Sequence, residues 1–184
     1  MHSWALVSAV LAPVALVTGD IVGASRQPFG YSSVHNSISA LAEHGASDRW
    51  IMTAALAVVG ACYVITAIGL TESNPSGRWL FALGGVATVV VAALPQPAAG
   101  HVPAAGIAFA ALAIWPAFSG LPTHPMGVAG TVLLVALLGW FGWQLGGQWL
   151  GLTERFVARA ESLWPLVVVI ALMLRDRRRE LPAT

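Results

Sequence analysis

The sequence predicts an all-α, polytopic membrane protein: a compact bundle of about six transmembrane helices with a short interfacial helix in the first outer loop. The chain of 184 residues is 57% hydrophobic and only 9% charged, with a mean hydropathy of +0.76, whereas soluble domains carry about 25% charged residues. Six apolar runs are long enough to cross a bilayer, and Ser25–Trp50 is the long polar segment among them. The net charge of +1 gives no indication of nucleic-acid binding.

The six predicted spans are apolar runs of about 20 residues, the length that covers the hydrocarbon core of a bilayer. They occupy roughly residues 4–24, 50–70, 78–94, 102–121, 126–144 and 156–174 of a single transmembrane domain, 1–184. Short connections after the second span predict antiparallel neighbours. The first run also resembles a signal peptide that ends at Val22-Gly23-Ala24. Its length and the lack of Lys or Arg in Met1–Trp4 favour a span.

The arginines predict the orientation of the chain in the membrane. Clustered basic residues mark cytoplasmic segments, and four arginines lie in the tail 175–184, which we therefore place in the cytoplasm. Six spans then put the N-terminus on the same side. The outer loop 25–49, the turn 95–101 and the loop 146–155 face outward. All nine basic residues are arginine, which, with the excess of Ala, Val and Gly, suggests a bacterial protein of the cytoplasmic membrane.

The outer loop contains the signals of a short helix. Asn36 or Ser37 can accept the unpaired N–H groups at a helix start, and Ile38, Leu41 and Ala42 then share one side. This pattern predicts an amphipathic helix at the membrane interface. Two roles stay open: a lid over a polar pocket between spans, or a loop that anchors itself in the interface.

Four charged residues open the last span. Arg155 and Arg159 are one helical turn apart, and Glu154 and Glu161 are two turns apart, so each pair shares a face. Glu161 lies about 10 Å along the helix from Glu154, where an unpaired charge costs several kcal/mol. We expect Glu161 to pair with Arg159 or Arg155, or to be protonated. An ion-pair staple and a headgroup or proton-linked site are the two interpretations.

Three histidines, His35, His44 and His101, lie on the predicted outer face and invite a zinc hypothesis, since zinc favours histidine and carboxylate ligands. Their spacing matches neither H-E-x-x-H nor H-x-x-x-H. We therefore predict no metal site and no cofactor, and we keep these histidines only as weak metal candidates. His101 and His44 are candidate bases, and Ser39 is a candidate nucleophile, although a capping serine is the commoner case.

Three segments together resemble a known family. They are Ser37-Ile38-Ser39-Ala40-Leu41, then Leu94-Pro95-Gln96-Pro97 with His101-Val-Pro-Ala-Ala105 and Phe109, then Gly151-Leu-Thr-Glu-Arg-Phe156 ahead of Trp164. In order and location they resemble domain-of-unknown-function family 998, a prokaryotic six-span membrane family. The layout is more distantly similar to eukaryotic DRAM-type and GPI-lipid-remodelling membrane proteins.

The resemblance implies a six-helix membrane fold and no established activity. It draws attention to Ser39, His101, Glu154 and Arg155. Two acids that often occur in the family are replaced here, one by Ala40 and one by the pair Gln96-Pro97. Their loss weakens the interpretation of this chain as a metal-dependent hydrolase.

Three functions stay open, and the sequence does not decide whether the protein is an enzyme. The first is a lipid- or partner-binding protein with a polar site in its outer half, where Arg155 would suit a lipid phosphate. The expected binding residues are His35, His101, Glu154, Arg155, Arg159 and Glu161. The second is an intramembrane lipid hydrolase, possible with or without zinc. The third is a small proton-coupled transporter that uses Glu161.

The expected partners are membrane lipids, and other membrane proteins or a second copy through the small-residue pair Gly142 and Gly146.

Overall fold

The computed structural model describes residues 3–120 and 124–180, and it includes the side chains of all these residues except 124 and 176–180. This part of the chain is all-helical and contains no strand. The six α-helices are α1 (Trp4–Ser25), α2 (Trp50–Gly69), α3 (Pro75–Ala93), α4 (His101–Phe118), α5 (His124–Trp143) and α6 (Leu150–Glu180). Each is long and apolar enough to cross a membrane. The predicted multi-pass helical bundle is thus confirmed.

The helix ends differ most from prediction at α6, which begins at Leu150 instead of near Phe156. The apolar run alone starts near Phe156, so it does not reveal the polar first turn of the helix. In this turn Thr153 is buried, and its hydroxyl donates to the carbonyls of Trp149 and Leu150 at 3.0 and 3.1 Å. The side chains of the arginines at 177–179, which carry the orientation prediction, lie outside the described residues.

Helices α1 to α4 pack in chain order, and α6 returns to pack against α1. Small residues let the backbones approach closely. A Cβ atom added to Gly60 of α2 would lie 2.6 Å from the Gly85 carbonyl oxygen of α3. Ser8 and Thr66 share a 2.7 Å hydrogen bond between α1 and α2. Helix α5 lies at the edge, against α4 and α6, with most of its side chains exposed.

The bundle has a loop end, where the α1–α2 loop (residues 26–49), the α3–α4 turn and the α5–α6 turn meet. The interfacial helix expected in the α1–α2 loop is a single turn of 3₁₀ helix, Ser39–Ala42. Ile38 and Leu41 are buried in the hydrophobic core and do not lie on a membrane surface. Ser37 has the predicted capping role, since its hydroxyl accepts the Ala40 N–H at 3.1 Å.

The small-residue pair Gly142 and Gly146 makes no close helix contact within the described chain. A Cβ atom added at either position would have no heavy atom within 4 Å. Gly146 lies in the α5–α6 turn with φ of +81°, a conformation that glycine adopts without a steric cost. Association with a second copy through this pair stays a prediction.

Candidate functional site

A buried ion pair between α1 and α6 lies at the centre of the loop end. Asp20 of α1 accepts hydrogen bonds from Arg155 Nε at 3.0 and 3.1 Å, and Arg155 Nη2 lies 2.9 Å from Asp20 Oδ1. Both side chains are only 4% exposed. Arg159, one turn further along α6 and 43% exposed, binds the other carboxylate oxygen at 2.7 Å. Asp20 therefore forms ion pairs with both Arg155 and Arg159, which lie near the start of the last helix.

The remaining donors of Arg155 hold the α1–α2 loop. Nη1 donates to the carbonyl oxygens of Ser33 and Asn36 at 2.7 and 2.8 Å, and to that of Gly151 at 3.0 Å. Nη2 donates to the Tyr31 hydroxyl at 2.7 Å. A guanidinium has five N–H donors, and acceptors of the protein itself engage all three of its nitrogens. Arg155 is thus a structural tie, and it has no donor left for the lipid phosphate expected from the sequence.

Glu154 and Leu152 form a second connection between α6 and the loop. Glu154 Oε2 accepts the Ile38 N–H at 2.7 Å, and Leu152 donates its N–H to the Val34 carbonyl at 3.0 Å. Gly151 makes this approach possible, because a Cβ atom at this position would lie 2.1 Å from the Asn36 oxygen. The segment Gly151–Arg155 is therefore a docking surface for the loop, which covers the loop end of the bundle.

The three candidate histidines each bind a backbone carbonyl, and they do not converge. His35 Nδ1 is hydrogen-bonded to the Gln148 oxygen. His44 Nδ1 lies 3.3 Å from the Gln96 oxygen, and His101 Nδ1 lies 2.7 Å from the Leu94 oxygen. They fasten the loop and the α3–α4 turn. Among the described residues, no three His, Cys, Asp or Glu side chains come together in a way that could hold a metal ion.

The predicted pairing of Glu161 with Arg159 or Arg155 is wrong. Both arginines point to Asp20, and Glu161 Oε1 is buried without a hydrogen-bond partner. The reason is helical periodicity. At 100° per residue, Arg159 and Glu161 are about 200° apart around the axis, whereas Glu154 and Glu161 are nearly in line. Helix α6 therefore presents Arg155 and Arg159 to α1, and Glu154 and Glu161 to the interior.

The two glutamates line a cavity of about 60 Å³ inside the bundle. The cavity begins beneath the 3₁₀ helix, where Ser39 contributes to its wall, and reaches the level of Glu161. Most of the wall is apolar. The wall residues come from α1, α2, α3, α4, α6 and the loop. Besides Ser39, Glu154 and Glu161, they are Leu16, Ile38, Leu56, Val59, Tyr63, Thr88, Val91, Ala105, Ala108, Phe109, Leu112 and Ala158.

Comparison with family models gives one match, to the family described as "Protein of unknown function (DUF998)", over residues 10–171. The chain belongs to this family. The match covers all three segments that suggested it, and it includes most of each of the six helices. Comparison with curated proteins and with solved structures gives no significant match. Membership of DUF998 thus agrees with the six-helix fold and assigns no activity.

Asp20 and Tyr31 are the site residues that sequence reasoning missed. Asp20 is an acid inside an apolar span, and such residues usually pair with another polar group within the bundle. Arg155 and Arg159 are expected at the same membrane face as Asp20. The rule could therefore have predicted that Asp20 pairs with one of them. Tyr31 carried no signal, because an aromatic residue after a span is ordinary at a membrane interface.

The approach of the loop to α6 predicts a local effect of Gly151→Ala in this DUF998 protein. The new methyl group collides with two backbone oxygens that also accept from Arg155, so the loop must move away. We expect amide hydrogen exchange in residues 31–42 to accelerate by about tenfold or more, equivalent to roughly 1.4 kcal/mol of opening free energy. Gly142→Ala, which enters open space, is the control and should leave exchange unchanged. Equal protection in both variants would contradict the docking role of Gly151.

The buried ion pair predicts that Asp20→Asn destabilises the protein. The substitution keeps the side-chain size but leaves the Arg155 guanidinium without its counter-charge, and breaking a buried pair in this way costs about 3–5 kcal/mol. Unfolding in mixed detergent micelles, followed by tryptophan fluorescence, measures this loss. Asp48→Asn, at an exposed loop position, is the matched control. Similar stability of the two variants would show that the ion pair does not hold the bundle together.

Proposed function

We propose that this DUF998 protein binds a lipophilic molecule inside its helix bundle. One observation carries the proposal: the cavity has a largely apolar wall and contains a buried carboxyl oxygen, Glu161 Oε1, without a hydrogen-bond partner. Ligand sites are typically apolar hollows with a few polar groups that fix orientation. A buried polar atom without a partner costs about 1–3 kcal/mol, and a bound ligand would remove that cost.

The exposure of the wall supports entry of the ligand from the bilayer. Nearly all wall residues are buried, and the three that are partly exposed are Ala105 and Phe109 of α4 and Ala158 of α6. This distribution favours a mouth between α4 and α6. The Phe109 ring lies 5.4 Å from the Phe141 ring of α5, so α5 borders the same region. An opening between two membrane-spanning helices suits a ligand dissolved in the lipid.

The lipid hydrolase receives less support from the site. Ser39 lines the cavity, but His44 and His101 are not part of its wall and bind carbonyls of the α3–α4 turn. A nucleophile needs a base within hydrogen-bond reach, and the histidines do not provide one for Ser39 here. The site therefore supports ligand binding better than lipid hydrolysis.

The proposed entry route predicts that Ala105→Phe blocks binding. We would incubate phosphatidylcholine vesicles containing the protein with a fatty alcohol that carries a diazirine group, and map photolabelled residues by mass spectrometry. Label should concentrate on the cavity wall of α4 and α6. Because the added ring fills the mouth, Ala105→Phe should reduce this label by about tenfold, the effect of roughly 1.4 kcal/mol. Ala110→Phe, on an exposed part of α4, should not. Equal labelling of all lipid-facing helices in the unaltered protein would refute the site.

We further propose that the protein lies in a bacterial cytoplasmic membrane with both termini inside. The arginines of the tail support this orientation, since positive residues stay in the cytoplasm. A green fluorescent protein fused after Thr184 should fluoresce, and alkaline phosphatase at the same position should be inactive. The opposite pair of results would mean that the α1–α2 loop faces the cytoplasm.

A further inference from the structure

We propose that the ligand is a primary alkyl amine whose ammonium group binds Glu161. This inference rests on the proposed binding function and names the chemical class of the ligand. The geometry that points to it is the division of charges in α6. Arg155 and Arg159 are bound to Asp20, while Glu154 and Glu161 lie on another face of the helix and line the cavity.

Glu161 is the centre of the proposed amine site. Its side chain is 1% exposed, and it lies about 16 Å along α6 from Leu150, near the middle of a hydrocarbon core about 30 Å thick. Acids at this depth usually pair with a positive group. Among the described residues Glu161 has no ion pair, and its Oε1 has no hydrogen-bond partner. The missing partner is a cation or another hydrogen-bond donor.

An ammonium group fits this requirement better than a hydroxyl or a phosphate. A hydrogen bond with an ionised donor or acceptor is roughly twice as strong as one between neutral groups. An ammonium brings that charge with it, and it is the one of the three groups that also compensates the charge of an ionised Glu161 in a low-dielectric interior. A phosphate would face two carboxyl groups, Glu154 and Glu161, which share the cavity. Arg155 uses its donors within the protein itself. Arg159 has an unpartnered Nε, but it does not belong to the cavity wall.

The size of the cavity favours a slender ligand. The cavity volume of about 60 Å³ exceeds the minimum of about 10–15 Å³ that one water molecule needs. The ammonium group and the first carbons of an unbranched chain would lie there beside Glu161. The remaining chain would leave between α4 and α6 and lie in the lipid.

A competition experiment tests the amine directly. The full-length protein in phosphatidylcholine vesicles carries the diazirine-labelled fatty alcohol, and dodecylamine, dodecanol or dodecyl phosphate is added at equal mole fraction in the membrane. We expect dodecylamine to displace the label at a concentration about tenfold lower than dodecanol, corresponding to roughly 1.4 kcal/mol, and dodecyl phosphate to be the weakest. Equal displacement by amine and phosphate would overturn the inference.

Glu161→Gln keeps the size of the side chain and removes its charge. We expect it to abolish the preference for amine while labelling by the fatty alcohol persists, which also shows that the variant is folded. Glu43→Gln removes an acid outside the cavity wall and should keep the preference. If Glu161→Gln does not fold, Glu161→Asp, which retains the carboxylate, should still prefer amine over phosphate. An amine preference that persists in Glu161→Gln, or its loss in Glu161→Asp, would contradict the assignment.

The outcomes also separate this inference from the function on which it rests. If no compound displaces the label from the unaltered protein, the proposed cavity ligand is wrong altogether. If all three displace it equally, the binding function stands and the amine assignment falls.

Discussion

The ion pair between Asp20 and Arg155 is the constraint on which the loop end of this structure depends. In a low-dielectric interior neither charge is tolerable alone, so α1 and α6 must meet where these residues lie. The same guanidinium then collects carbonyl oxygens from Ser33 and Asn36, which positions the α1–α2 loop across the bundle. The loop in turn places Ile38 and the 3₁₀ helix above the cavity. One buried cation thus binds a segment that has little regular structure of its own, and Glu154 and Leu152 add the second connection.

Near the start of α6, the arginines hold the fold, whereas for Glu161 we propose a role in ligand binding. Arg155 and Arg159 both bind Asp20 of α1, and Arg155 uses its remaining donors on the α1–α2 loop and on Gly151. Glu154 is partly occupied, since it accepts the Ile38 N–H. Glu161 has no such partner and faces the cavity. This separation follows from helical geometry, because at 100° per residue the two arginines lie about 100–160° around the helix axis from the two glutamates. We therefore propose a ligand with a cationic group, in place of the lipid phosphate expected from the sequence.

The hydrophobic runs predicted the six helices and their order, because hydropathy over 20 residues reports the membrane directly. The periodicity of α6 also predicted that Glu154 and Glu161 share a face. The partner of Arg155 could not be predicted in the same way, since Asp20 is 135 residues distant in sequence and local spacing carries no information about it. The sequence also did not predict the burial of Ile38 and Leu41 in the protein core. An amphipathic turn has the same sequence pattern whether its apolar side contacts lipid or protein.

The proposed binding of an amine requires that Glu161 be the residue that contacts the ligand. Infrared difference spectroscopy of the protein in phosphatidylcholine vesicles, before and after addition of dodecylamine, observes carboxyl groups during binding. We predict a change in the carboxyl bands of the unaltered protein, and its loss in the Glu161→Gln variant. A difference spectrum without a carboxyl change, or the same change in both proteins, would contradict the binding of the amine to Glu161.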